Sequence, residues 1–457
     1  MSKTVHVCRN CGHTTPSWMG RCPQCGEWNT FDEQSASPSK KGNPSSKPRT
    51  RPISLDEITD KDLVTDRRIA TGFSEMDRVL GGGVVEGSLT LLSGDPGIGK
   101  STLLLELAAG VSRNEVRTLY VSSEESLNQL FIRIQRLGVK KSANLYLLAT
   151  DSFDDIIHAV DEIAPRLVVV DSIQNVSREG LDFLPGSIAL IRDLNVRFME
   201  VAKRRNIAFF LVGHVTKEGV VAGPRTLEHL VDVVMYLEGE PQKPLRVLRG
   251  VKNRFGSTQE VGLLEMQENG LVELADPSQF FVTENQGGES GTARTVLSEG
   301  KRALVIEVQS LVNPTSLDIP RRVSLGIDFN RLQLLVAVLE KRSRIRFNRQ
   351  DIYLNIVGGM RVTETVTDLA VCFSLASSRL EKKMDQKSVY LGEVGLNGEI
   401  RAGYMFDSRI SEAARSGATR VILSDYHQIN RGLSLPHNVE VVGYKNLTEA
   451  LLGEGIL

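Results

Sequence analysis

The sequence predicts an α/β protein with a parallel-sheet core, a small metal-binding segment before it and a second α/β domain after it. Three observations carry this prediction: a phosphate-loop motif between a strand and a helix, a series of apolar strands alternating with helical patterns, and four closely spaced cysteines. Strands that alternate with helices form parallel βαβ units, whose ligands bind at the carboxyl ends of the strands.

Residues 94–101 fit the pattern G-x-x-x-x-G-K-[ST] of a loop that cradles nucleotide phosphates. The apolar segment 88–92 precedes the loop and the helical segment 102–109 follows it, which is the context that the motif requires. The glycines let backbone N–H groups surround phosphate oxygens, Lys100 would reach the β- and γ-phosphates, and Ser101 would ligate Mg²⁺. The predicted nucleoside triphosphate site comprises Gly94, Asp95, Pro96, Gly97, Ile98, Gly99, Lys100, Ser101 and Thr102.

Composition places the chain among ordinary globular proteins. It has 457 residues, of which 41% are apolar and 24% charged, so roughly two to four domains are expected. No long uncharged apolar stretch predicts a membrane span, and residues 1–10 lack the apolar core of a signal peptide. We therefore expect a cytoplasmic protein that does not bind membranes. The net charge of −1 means that any nucleic-acid binding must depend on local patches.

Four of the five cysteines form two Cys-x2-Cys turns, Cys8 with Cys11 and Cys22 with Cys25, separated by ten residues. Each turn can present two thiolates to one tetrahedral Zn²⁺, so residues 1–30 are predicted to be a four-cysteine zinc finger. Metal binding would supply the folding energy of so small a segment. Redox pairs or free thiols are the alternative interpretation.

Residues 31–50 are predicted to be a flexible basic linker. The segment is rich in Ser, Pro, Lys and Gly, and it has no acidic residue after Glu33. Charge pattern alone does not decide between a solvated tether and a segment that contacts DNA.

Polar side chains follow three further predicted strands. Glu124 and Glu125 come after the strand at residue 120, Asp171 ends an apolar strand in the Walker B pattern, and His214 ends another. Parallel strands place their carboxyl ends at one edge of a sheet, so these side chains are expected around the phosphate loop. Asp171 would hold Mg²⁺ directly or through water, and Glu124 or Glu125 would act as the base or orient the attacking water.

This order of motifs resembles the RecA/KaiC class of ATPases. Together with the four-cysteine finger and the segment Lys252-Asn253-Arg254-Phe255-Gly256, it resembles the RadA (Sms) family of bacterial DNA repair proteins over nearly the whole chain. The resemblance implies a RecA-like ATPase domain over residues 51–284, with ATP, Mg²⁺ and Zn²⁺ as cofactors. It further implies a homohexameric ring that binds single-stranded and branched DNA. Such a ring would drive branch migration of recombination intermediates formed by RecA recombinase filaments.

The same resemblance assigns roles to individual residues. Glu124 matches the catalytic glutamate best, and His214 occupies the position of the γ-phosphate sensor. Lys252 and Arg254 correspond to a basic pair that reaches the γ-phosphate of a neighbouring subunit; a DNA contact is the alternative, since Lys and Arg serve either phosphate.

Two loops, residues 177–185 and 216–226, match the positions that line the DNA path in RecA-like rings. Lys217 and Arg225 are the expected contacts to the DNA backbone, because phosphate contacts supply most sequence-independent affinity. Two solvated loops are the alternative.

Residues 285–299 are predicted to be a second linker and residues 300–457 a separate α/β domain. Through residues 392–401 this domain resembles the peptidase domain of Lon, whose chemistry needs a Ser nucleophile activated by Lys. The Lon serine position falls near Thr367 and Asp368, and the lysine position near Asp407, so no Ser–Lys dyad is expected. A Lon-type ATP-dependent peptidase and a KaiC-like signalling ATPase are the competing functions.

Overall fold

The computed structural model describes residues 4–9, 13–35, 54, 68–180, 183–213, 228–240, 242–274, 277–283, 289–425 and 438–457. The chain divides into two units, Met1–Glu273 and Leu274–Leu457. Among the helices of these ranges, none has the length and apolar character needed to cross a membrane.

The N-terminal segment forms a small antiparallel sheet in the order β2–β1–β3, from β1 (Thr4–Cys8), β2 (Thr14–Thr15) and β3 (Phe31–Ser35). Cys8, Cys22 and Phe31 are its buried core. The predicted linker at residues 31–50 therefore begins later than expected, because Phe31 packs in this core and β3 pairs with β1 along five residues. Residues 36–50 lie outside the described part of the chain.

The remainder of the first unit is built around the parallel sheet that the sequence predicts. In the described residues, nine strands lie in the order β14–β13–β12–β11–β6–β10–β9–β7–β8. Strands β11, β6, β10, β9, β7 and β8 are mutually parallel, whereas β12 to β14 are antiparallel additions at one edge. The strands of this unit are β4 (Arg68–Ile69), β5 (Val84–Val85), β6 (Leu89–Gly94), β7 (Thr118–Ser122), β8 (Leu145–Ala149), β9 (Leu167–Asp171), β10 (Ala208–Val212), β11 (Val233–Glu238), β12 (Leu245–Asn253), β13 (Val261–Gln267) and β14 (Gly270–Glu273). Its helices are α1 (Ser74–Leu80), α2 (Lys100–Arg113), α3 (Leu127–Arg136), α4 (Phe153–Ile163) and α5 (Ile188–Arg205).

The central strands are continuous apolar runs because both faces of the sheet are covered. Alternate residues point to opposite faces, and each face has its own core. Val169 and Phe210 belong to one core, whereas Val168 and Phe209 belong to the other. This double burial produces the unbroken apolar runs that predict these strands from the sequence.

The second unit contains another sheet, which in the described residues has the order β17–β18–β16–β15–β19–β22–β23. Its strands are β15 (Thr292–Glu299), β16 (Arg302–Pro314), β17 (Arg322–Leu325), β18 (Gln350–Ile356), β19 (Ser388–Tyr390), β22 (Arg420–Ser424) and β23 (Glu440–Tyr444), and β20 (Glu393–Val394) pairs with β21 (Ile400–Arg401) beside them. The helices are α6 (Pro277–Phe280), α7 (Phe329–Arg342), α8 (Asp368–Leu380), α9 (Phe406–Arg415) and α10 (Leu447–Gly453).

Two predicted boundaries differ from the structure. Residues 292–299, placed in the second linker by the sequence, form strand β15, which pairs with β16 along eight residues. The predicted ATPase domain, residues 51–284, also extends past the division at Glu273. Helix α6 packs in the second unit, where Ser278 Oγ donates a hydrogen bond of 2.7 Å to Glu412 and Phe281 is fully buried. The polar, glycine-containing residues 285–291 directly precede β15, so composition alone does not show where the linker ends.

Candidate nucleotide and zinc sites

The phosphate loop leaves the carboxyl end of β6 in a conformation that two of its glycines make possible. Gly94 has φ of 151° and Gly99 has φ of 113°. A Cβ atom at Gly94 would lie 2.3 Å from the Leu237 carbonyl oxygen, and one at Gly99 would lie 2.4 Å from Met266 Cε. Neither position accepts a side chain without movement of its neighbours, so the loop backbone can curve only with glycine there.

Lys100 begins α2 and is buried against the loop. Its Nζ donates hydrogen bonds to the carbonyl oxygens of Gly94, at 2.8 Å, and Asp95, at 2.9 Å. Burial lowers the pKa of Lys100, and the negative charges of Asp171, Asp95 and Glu124 oppose this effect. The ammonium group is thus held inside the loop, where phosphate oxygens can replace the carbonyls. Ser101, in the same first turn, is partly exposed and can present its hydroxyl to Mg²⁺.

Asp171 ends β9 and is buried beside the loop. The Tyr120 hydroxyl donates a hydrogen bond of 2.7 Å to Asp171 Oδ2. Burial and the nearby Asp171 charge raise the pKa of Tyr120 well above its ordinary value, so the phenol remains a donor. This contact orients the carboxylate that the sequence assigns to Mg²⁺. The sequence did not single out Tyr120, because a tyrosine inside a strand is ordinary core material.

The paired glutamates after β7 have different surroundings. The Ser172 hydroxyl donates a hydrogen bond of 2.6 Å to Glu124 Oε1. Glu125 instead forms an ion pair with Arg133 of α3, with 2.5 Å between Oε1 and the guanidinium. Glu124 lies close enough to Lys100 to influence the lysine's pKa. The geometry therefore favours Glu124 as the group facing the phosphate loop and Glu125 as a residue that anchors α3.

The loop and α2 are supported from the antiparallel side of the sheet. Arg246 of β12 is buried and donates through Nε to the Ile98 carbonyl oxygen at 2.9 Å. On α2, Glu106 accepts a hydrogen bond of 3.2 Å from the Leu271 N–H. Burial raises the pKa of Glu106 from 4.5 to about 7, and the Leu271 hydrogen bond opposes this shift. No motif marks either residue, since both contacts depend on strands far away in sequence.

The basic pair, Lys252 and Arg254, lies near the amino ends of the parallel strands, whereas the phosphate loop follows a carboxyl end. Lys252 is the next-to-last residue of β12 and pairs with Val234 of β11. Val234 pairs in turn with Leu91 of β6. The phosphate loop begins at Gly94, which is paired with Leu237. Three residues of strand separate the two levels, a distance of about 10 Å. Lys252 and Arg254 therefore lie away from the phosphate loop of their own chain, near the opposite ends of the parallel strands.

Local contacts hold the basic pair in place. Lys252 Nζ donates to the Glu228 carbonyl oxygen at 2.8 Å. Arg254 pairs with Asp232 at 3.3 Å, and Asp232 is buried and also accepts from the Leu89 N–H at 3.2 Å. Burial lowers the pKa of Lys252, with the positive Arg254 as the second cause. The sequence did not identify Asp232, whose role depends on the sheet register.

Three sulfur atoms of the predicted zinc finger converge. Cys8, Cys22 and Cys25 place their sulfurs within 4.8 Å of one another, and Cys8 Sγ lies 3.7 Å from Cys25 Sγ. Thiolates at this spacing are the donor set of a structural Zn²⁺ site. The fourth predicted ligand, Cys11, lies outside the described residues. His214, Lys217 and Arg225 also lie outside them.

The second unit has an ion pair at Asp368, next to the position that the resemblance to Lon assigns to the serine. Asp368 is buried, accepts from Arg331 Nε at 3.0 Å, and accepts from the Val394 N–H at 3.1 Å. Burial raises the pKa of Asp368 although Arg331 opposes this shift. Thr367 donates its hydroxyl to the Glu364 carbonyl oxygen, and Asp407 is exposed at the start of α9.

Comparison with known proteins identifies the family. The DNA repair protein RadA of Halalkalibacterium halodurans is 44% identical over 450 residues, which cover 98% of this chain and 98% of that protein. The RadA of Bacillus subtilis is 43% identical with the same coverage. This chain belongs to the RadA family of DNA repair proteins. Residues 55–220 match the AAA domain family, and residues 6–33 match the rubredoxin metal binding domain family.

A solved RadB recombinase is 22% identical, with a TM-score of 0.35, and covers 45% of this chain and 99% of its own. The family-model matches give this chain an ATPase domain, which implies a bound nucleotide, and a metal-binding ribbon near its N-terminus whose cysteine cluster suits Zn²⁺. The predicted α/β class is confirmed, and three members of the predicted cysteine cluster, Cys8, Cys22 and Cys25, converge.

Proposed function

We propose that this protein is a DNA-dependent ATPase of DNA repair that processes recombination intermediates. It would bind single-stranded and branched DNA and drive branch migration during strand exchange by RecA recombinase filaments, in the cytoplasm and as part of the response to DNA damage. The observation that carries the proposal is the site formed by Lys100, Asp171 and Glu124 in a chain that matches RadA proteins along 98% of its length.

Residues of the phosphate loop and of the strand ends would supply the parts of phosphoryl transfer. Lys100 would exchange its two carbonyl contacts for β- and γ-phosphate oxygens, and Ser101 and Asp171 would hold Mg²⁺, which neutralises charge on the phosphates. Glu124, oriented by the Ser172 hydroxyl, would polarise the attacking water. His214 is proposed as the γ-phosphate sensor. The Tyr120 hydroxyl, which donates a hydrogen bond to Asp171, would orient the carboxylate toward the metal.

Lys252 and Arg254 are proposed to complete the site of a neighbouring subunit in a homohexameric ring. The sheet register supports this assignment, because it puts the pair about 10 Å along the sheet from the chain's own phosphate loop. A positive finger from a neighbour stabilises charge that develops in the transition state. Lys217 and Arg225 are proposed to contact the DNA backbone inside the ring.

The second unit is proposed to be a Lon-like domain that serves assembly or DNA contact. A Lon-type peptidase would need a nucleophile where this chain has the buried Asp368, paired with the partly exposed Arg331. A KaiC-like signalling ATPase would not need the finger or the basic pair.

Stimulation of ATP hydrolysis by single-stranded DNA tests the proposal. We expect the purified protein to hydrolyse ATP faster when an oligothymidylate is present, and Lys100→Ala to remove both basal and stimulated rates. Hydrolysis that single-stranded DNA leaves unchanged, with cleavage of an unfolded protein or transfer of phosphate to the chain itself, would support the competing functions instead.

A further inference from the structure

The zinc ribbon exposes the two tryptophans of the chain. Trp28 is 67% exposed and Trp18 is 56% exposed, and the neighbouring Met19 is also exposed. The full sequence has two tryptophans in 457 residues, so both are concentrated on this small domain. Indole rings carry a large apolar surface and are usually well buried, and an exposed pair therefore indicates a binding surface.

The hairpin that carries the second pair of cysteines brings these rings together. The Asn29 N–H donates to the Gly20 carbonyl oxygen at 2.8 Å, and Arg21 forms a β-bridge with Trp28. A Cβ atom at Gly20 would lie 3.8 Å from Trp18 Cη2 and 3.8 Å from Trp28 Cζ3. Both indoles thus stand beside a residue that has no side chain. We call the surface of Trp18, Gly20 and Trp28 the indole platform.

A cation lies over one face of the Trp28 ring and leaves the other face for stacking. The Arg21 guanidinium carbon lies 5.7 Å from the centre of the Trp28 ring, and Arg21 Nε donates to the Gly26 carbonyl oxygen at 2.8 Å. Arg21 is exposed, so its guanidinium can donate hydrogen bonds to a phosphate group. Beyond the ribbon, residues 34–51 contain five Lys or Arg and no Asp or Glu.

We propose that the indole platform binds single-stranded DNA by stacking on its bases, with Arg21 contacting the adjacent phosphates. Every base has a flat face, so stacking on an aromatic ring is independent of sequence, and a nearby cation provides the backbone contact. The positive charge of Arg21 and of residues 34–51 complements DNA and distinguishes this partner from an apolar protein surface. The proposal rests on the proposed function and adds a DNA site outside the ATPase domain.

Intrinsic fluorescence tests the indole platform in the full-length protein, because both emitting tryptophans belong to it. We expect titration with an oligothymidylate to quench the tryptophan emission over the concentration range in which fluorescence anisotropy of labelled DNA reports binding. Unchanged emission while anisotropy shows saturation would overturn the proposal and assign the indole platform to a protein partner. The absence of any anisotropy change and of any ATPase stimulation would instead overturn the proposed function.

Substitutions separate stacking from folding of the ribbon. Trp28→Ala should weaken binding of the oligothymidylate about tenfold, which is the usual effect of removing one stacked ring. Trp28→Phe keeps a flat ring and should restore most of the affinity. Zinc content, measured by mass spectrometry, should stay equal in both variants. Equal affinities of Trp28→Ala and the unchanged protein, at equal zinc content, would contradict the proposal.

Discussion

Ser172 Oγ lies 2.6 Å from Glu124 Oε1 and donates a hydrogen bond to it, which joins the residue after β9 to the residue pair after β7. The neighbouring Ser123 hydroxyl donates to the Ser172 carbonyl oxygen at 2.8 Å. The ends of the two strands are therefore held together at the edge of the sheet where the phosphate loop begins. This connection gives Glu124 a defined direction that Glu125 does not share.

Glu124→Gln should lower ATP turnover by roughly 10²–10⁴, because the amide cannot accept a proton or polarise water as a carboxylate does. Nucleotide binding, measured with a fluorescent ATP analogue, should remain close to that of the unchanged protein. Glu125→Gln is the matched control: it loses a partly exposed ion pair with Arg133, which is worth about 1 kcal/mol or less. The reverse pattern would show that Glu125 is the catalytic carboxylate.

Mixed rings distinguish action of the basic pair on a neighbour from action on its own chain. Lys100→Ala should not hydrolyse ATP. Lys252→Ala should hydrolyse ATP slower by a factor of ~10³–10⁵, by analogy with other positive fingers supplied in trans. A mixture of the two variants should recover part of the activity, because some interfaces then contain both intact groups. Mixed rings that form, as shown by native mass spectrometry, but do not recover activity would favour the DNA-contact interpretation.

One Zn²⁺ per chain is expected from the cysteine cluster, and Cys25→Ala should abolish it, since a three-thiolate site holds zinc much less tightly. The loss should unfold the ribbon and leave the ATPase domain folded. Elemental analysis of protein purified without chelators measures the metal, and basal ATP hydrolysis reports the ATPase domain. Protein that contains no zinc would contradict the prediction.

Glu106 should make the first unit less stable as pH rises from about 4.5 to about 7. In this range the folded state keeps a proton that the unfolded state has released, so the folded state binds more protons and its stability falls with increasing pH. Glu106→Gln removes the titration and keeps an acceptor for the Leu271 N–H. We expect thermal denaturation to show the variant gaining stability relative to the unchanged protein across this interval. Parallel curves for the two proteins would contradict the assignment.

The central strands and the phosphate loop can be predicted from the sequence because their signals are local. The double burial of β9 and β10 leaves an unbroken apolar run, and the curvature of the loop needs glycines such as Gly94 and Gly99, so both can be read without a structure. Asp171 was also expected, since it ends such a run.

Features that depend on register could not be predicted in the same way. Nothing near Glu125 in sequence says that Arg133 will pair with it and not with Glu124, because that choice depends on how α3 packs. Asp232 contacts Leu89 of β6 and Arg246 contacts Ile98 of the phosphate loop, and each partner is more than a hundred residues away in sequence. Strand β15 was mistaken for part of a linker because its polar flank precedes it directly.

Strand β12 connects two proposed functional regions of the same subunit. Near its first residue Arg246 is bonded to the Ile98 carbonyl oxygen of the phosphate loop, and near its last residue it carries Lys252, with Arg254 just beyond. Strand β12 pairs with β13 over Leu245–Arg249 and with β11 as far as Asn253, and the β11 pairing shifts register between Gly250 and Lys252. The contact to the phosphate loop and the basic pair thus lie on opposite sides of an irregularity in one strand. In the proposed ring, one strand would therefore connect a subunit's own nucleotide site with the residues that it offers to the next subunit.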